Sequence, residues 1–82
     1  MPEITRFYGI VIKLFFGDHS PPHFHAVYGE FNGVFDVKTL EMTEGDLPQR
    51  AKELVLEWGK IYQNELLDMW DSQNFHKLPP LK

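Results

Sequence analysis

Cysteine is absent from the 82 residues of this chain. That excludes disulfides, thiolate zinc sites and a cysteine nucleophile, and it suits a reducing compartment. Positive charge is scarce: eight Lys and Arg stand against twelve Asp and Glu, for a formal net charge of −4. The basic residues Arg50, Lys52, Lys60 and Lys77 are scattered among acids rather than grouped. Nucleic-acid binders draw affinity from clustered cations that neutralise phosphates, so the pattern argues against nucleic acid as the main direct partner. No apolar run approaches membrane-spanning length, and the opening MPEITRFYG has no basic segment leading into an apolar core. A cytoplasmic protein that does not use the membrane is the expectation. Also missing are repeats, low-complexity segments, a Gly-rich phosphate loop and a Ser-His-Asp arrangement.

What the chain does carry is aromatic bulk: seven Phe, three Tyr and two Trp. At this length it reads as one domain over 1–82, and such a domain buries only about 60% of its unfolded surface. Large rings offset the thin core, and self-association would hide further surface. Residues 6–16, RFYGIVIKLFF, read as one strand, with Ile10, Ile12, Leu14 and Phe16 on one face and Val11, Lys13 and Phe15 on the other. Further strands are expected over 23–28, 32–38 and 41–44, joined by short connections that favour antiparallel pairing. From Pro48 the apolar residues recur at spacings of three and four, which predicts a helix over 48–73. Asp46 is its expected N-cap, and Gly59 either kinks it or lets it approach the sheet closely. Residues 75–82 form an extended tail, and its Leu78-Pro79-Pro80-Leu81 reads either as a groove-docking segment or as a disordered end. The class is α+β: an antiparallel three- to four-stranded β-meander with one long C-terminal α-helix packed across one face.

One helix covers one face of such a sheet. The other face carries Val11, Lys13, Phe15, Val27 and Val34, and this surface reads either as a twisted sheet that exposes some valines while the tail folds over the rest, or as a protein-partner or self-association surface. The same face receives the most distinctive stretch, GDHSPPHFH over residues 17–25. His23 and His25 are two apart on a strand and leave it on one side. His19 precedes them in the loop beside Asp18, and Asp36 has the parity to join them from the third strand. Three readings of the block stand side by side. The histidines brace a proline-stiffened turn or contact a partner. His19, His23 and His25, with Asp18 or Asp36, hold a divalent metal such as zinc. Or His23 and His25 act as a general acid–base pair on a ribose phosphodiester, with Arg6 or Lys13 stabilising the phosphate.

Four stretches, MPEITRFYGI, GDHSPPHFHAVYGE, LPQRA and LVLEW, resemble a small bacterial domain-of-unknown-function family, numbered four-one-six-zero. The resemblance runs over roughly 1–71 and is most specific at Asp18, His19, Pro21, Pro22, His23, Phe24 and His25, with Arg6, Phe7 and Tyr8 matching the opening. It implies a component of a two-gene bacterial system, beside a short protein with a DNA-binding-like domain, and on that ground a toxin–antitoxin-like role. It assigns no chemistry to the histidine block. An interaction domain is therefore the leading expectation, a metal-binding or metal-dependent hydrolytic domain the second, and an RNA-cleaving toxin the third.

Overall fold

The computed structural model describes residues 3–15 and 21–82. In chain order they form β1 Glu3–Phe7, β2 Ile10–Lys13, β3 His23–Tyr28, β4 Phe31–Asp36, β5 Met42–Gly45 and the helix α1 Gln49–Ser72. The strands make one antiparallel sheet whose spatial order is the chain order, the meander that short connections favour. The fold is α+β, with five strands where three or four were expected.

The extra strand comes from the stretch read as a single strand over 6–16. It is a hairpin, with Phe7 paired to Ile10 across a two-residue loop. The loop residues Tyr8 and Gly9 both have left-handed backbones, φ +50 and +80. Two consecutive left-handed residues give the turn whose twist matches that of the flanking strands. Glycine accepts this conformation without cost, whereas tyrosine is an unusual occupant, so the turn is hidden inside continuous β propensity. The remaining boundaries shift by one or two residues from those expected, which is the ordinary scatter of element ends.

Alternation along the strands builds the core. Ile10, Ile12, Leu14, Phe24, Ala26, Phe35 and Val37 are all essentially inaccessible to solvent and point toward α1. The helix answers with Ala51, Val55, Trp58, Leu66, Met69 and Trp70. At the centre Phe24 stacks on Phe35 with ring centroids 5.3 Å apart and meets Trp58 edge-on at 6.0 Å. Each such side chain, fully buried, contributes about 1.5–3 kcal/mol.

Asp46 does not cap the helix. The N-cap is Pro48, without a side-chain cap, and Asp46 instead closes on Asn32. Its Oδ1 accepts the Asn32 N–H at 3.1 Å, and its own N–H donates to the Asn32 carbonyl at 2.8 Å. Asp46 thus prolongs the pairing beyond β5. The helix is irregular at Tyr62, φ −111 and ψ 16, not at Gly59. Gly59 serves close approach: a Cβ there would lie 3.1 Å from Leu40 Cδ2. Next to the irregularity, Gln63 Nε2 donates to the carbonyls of Val37 at 2.7 Å and Lys38 at 2.9 Å, tying the helix to the turn after β4.

The tail is neither helix nor strand, but it is seated on its own domain. Leu78 N–H donates to the Ile4 carbonyl on β1, and the Trp58 indole N–H donates to the Pro79 carbonyl, both at 2.9 Å. Leu78 and Leu81 are buried in the same core as α1 and the sheet. The groove that takes the Leu-Pro-Pro-Leu segment is therefore internal, which replaces the expectation of a disordered end.

Candidate functional site

The face of the sheet turned away from α1 is assembled by the same alternation that builds the core. β2 presents Val11 and Lys13, with Phe15 just beyond it; β3 presents His23, His25 and Val27; β4 presents Val34 and Asp36. All of these are half-buried. The register sets Val11 opposite Val27, Lys13 opposite His25, His25 opposite Val34, and His23 opposite Asp36. From β5, Glu44 stands opposite Val34. One row thus runs Lys13, His25, Val34, Glu44 across four strands, and is cationic at one end and anionic at the other.

The imidazoles of His23 and His25 meet with centroids 5.3 Å apart at an interplanar angle of 67°. Phe15 and His25 meet edge-to-face at 4.5 Å, and His23, the first residue of β3, lies against the Trp70 ring of α1 at 5.0 Å, so the helix closes this corner of the outer face. His23 Nδ1 is 2.9 Å from the Pro21 carbonyl oxygen. A carbonyl only accepts, so Nδ1 carries a proton. The Pro21 carbonyl therefore helps orient the His23 ring. Asp18 and His19 lie outside the described residues.

Asp36 reaches the expected face, but its carboxylate also has a structural task. Oδ1 accepts the backbone N–H of Lys38 at 2.8 Å and of Thr39 at 3.1 Å, closing the turn that leads to β5. Among the described residues no group of three or more His, Asp or Glu side chains is arranged to hold a metal ion. Arg6 is on β1, opposite Val11, with β2 between it and the histidine strand. Its guanidinium is taken by Glu3, with Nη2–Oε1 at 2.8 Å and Nε–Oε2 at 3.3 Å. This hydrogen-bonded contact holds the Glu3 carboxyl below its ordinary range and raises the Arg6 guanidinium. The cation beside the histidines is Lys13, not Arg6.

His23, His25, Val34, Asp36, Thr43 and Glu44 surround an open cavity of about 280 Å3, with Pro21 at its rim. Thr43 and Glu44 are the site residues that sequence reading missed. Their signal was the register: a fourth strand pairing with β4 must set one of its residues beside Val34. Chemically the cavity offers two imidazole rings, two carboxylates and an apolar floor. That is a surface for holding a polar, positively charged group rather than a phosphate.

A family model described as a domain of unknown function, DUF4160, matches residues 9–71, well over half of the chain. Comparison with curated proteins and with solved structures finds no match.

Proposed function

The chain belongs to the DUF4160 family of domains of unknown function, and on that premise we propose that it works as a protein-interaction domain whose binding surface is the outer face of the sheet. The observation that supports this reading is the half-buried set Val11, Phe15, Val27 and Val34 on the side opposite α1. The C-terminal tail, a segment available to cover that side, is committed to the core through Leu78 and Leu81. Val11 and Val27 face each other directly, while Lys13, His25 and Glu44 stand among the other apolar side chains, and such a mixed apolar and polar face suits a protein partner. The finer proposal is a bacterial, cytoplasmic chain that forms one half of a toxin–antitoxin-like pair, with the product of the adjacent gene as its partner. The acidic balance of this chain then favours a partner that is basic where the two meet.

Co-expression of the two products, followed by purification on a tag carried by the partner, tests the proposal. The wild-type chain is expected to co-purify in a fixed stoichiometry. Val27→Asp places a charge in the middle of the outer face and is expected to weaken the complex by about a hundredfold. The thermal unfolding of the isolated Val27→Asp chain should stay close to wild type, because the side chain is not in the core. Co-purification that survives Val27→Asp and Val11→Asp overturns the proposal. So does a chain that meets only its own copies.

A further inference from the structure

We propose that the cavity between β3, β4 and β5 receives an arginine side chain of the protein partner; this rests on the interaction reading above and names the chemistry of its centre. Two carboxylates flank the cavity. The Glu44 side chain takes part in no hydrogen bond or ion pair with another described residue, and the turn after β4 takes Oδ1 of Asp36 but not Oδ2. Glu44 and Asp36 are diagonal neighbours across the β4–β5 pair, since Glu44 stands opposite Val34 and Asp36 lies two residues further along. A planar guanidinium presents donors on more than one edge and can engage two carboxylates at once, which an ammonium does as a point charge only.

The rest of the lining suits the same group. His23 and His25 line the same cavity beside the carboxylates. Val34 forms an apolar floor for the aliphatic stem of a long cationic side chain. Lys13, the cation of the row, lies on the far side of His25 from Glu44, so the β4–β5 half of the face keeps its negative charge. A phosphate or other anion would meet both carboxylates there, and the described residues do not converge as metal ligands.

The test uses the whole chain and two capped tripeptides, acetyl-Gly-Arg-Gly-amide and its citrulline isostere, followed by NMR. Citrulline keeps the shape of arginine and removes the charge. The arginine peptide is expected to bind saturably, with an affinity on the order of millimolar for a single side chain. It should shift the ring signals of His23 and His25 and the amide of Glu44, leaving His76 still. Glu44→Gln is expected to weaken this binding about three- to fivefold. Asp36→Asn should do the same, because asparagine keeps the Oδ1 acceptor of the turn while losing the charge. Equal binding of the citrulline peptide, or shifts that never saturate, overturns the proposal. Failure here leaves the wider reading standing if Val27→Asp still breaks the partner complex. Binding of the arginine peptide by a chain whose partner complex ignores Val27→Asp overturns the wider reading alone.

Discussion

Among the described glycines, Gly45 is the one at which an added carbon does most harm. Its backbone is left-handed, φ +118, and a Cβ would overlap the Asn32 carbonyl oxygen and Gly33 Cα. Neither obstacle is a flexible side chain, so Gly45→Ala must distort the β4–β5 pairing. The expected loss is about 3 kcal/mol of unfolding free energy, read from urea denaturation, and an unchanged midpoint would refute it. Asp36 supplies a second contrast. Asp36→Ala leaves the N–H groups of Lys38 and Thr39 without their acceptor and should cost about 1–2 kcal/mol, whereas Asp36→Asn should cost much less. At the other edge, Glu3 titrates below its ordinary range because Arg6 hydrogen-bonds its charged form. A depressed carboxyl adds stability that is present above its unfolded value and fades as pH falls through the folded one. Wild type should therefore exceed Glu3→Gln slightly at neutral pH, with the gap closing in acid. Arg6 is exposed and Glu3 is only half-buried, so the gap is small, and one that widens in acid would contradict the assignment.

At the scale of elements, the tail is a structural strap. Removal of Leu78–Lys82 takes two buried leucines from the core and the Pro79 acceptor from Trp58. The expected cost is about 3 kcal/mol in denaturant unfolding, while Trp58→Phe, which keeps a ring but loses the indole donor, should cost about 1 kcal/mol. A truncated chain as stable as wild type would show that the strap holds nothing. Elements whose signal is periodic were legible from sequence. The run from Ala51 to Trp70 has the helical period, and His23, Phe24, His25 and Ala26 alternate as a strand must, so the outer face and the histidine pair followed from parity alone. Elements set by single backbone conformations or by long-range closure were not. The Tyr8-Gly9 turn interrupts a stretch of uniform β propensity. Asp46 looks like a helix cap but is claimed by Asn32, fourteen residues away. The tail, with two prolines and little periodicity, has nothing local to announce that β1 and Trp58 will hold it. The cavity needed β5, whose four residues MTEG carry almost no apolar pattern.

Taken whole, the molecule is two-sided. α1 and the tail bury one face of the sheet to near completion, and among the described residues the opposite face keeps four apolar side chains half-open around a histidine pair. Among the described residues there is one helix, α1, and it packs on the core face. On the proposed reading a partner supplies the layer over the opposite face, with the carboxylates of the β4–β5 half as its charged point of entry. On the helix, Ile61 is 58% exposed and serves as a control position away from the sheet face. The decisive measurement is the solution affinity of the partner product for three forms of this chain: wild type, Val27→Asp on the sheet face and Ile61→Asp on the helix. An outer-face interface predicts that Val27→Asp loses about a hundredfold in affinity while Ile61→Asp binds as wild type does. Loss of binding in Ile61→Asp with Val27→Asp unaffected would place the interface on the helix and contradict the role given to the sheet.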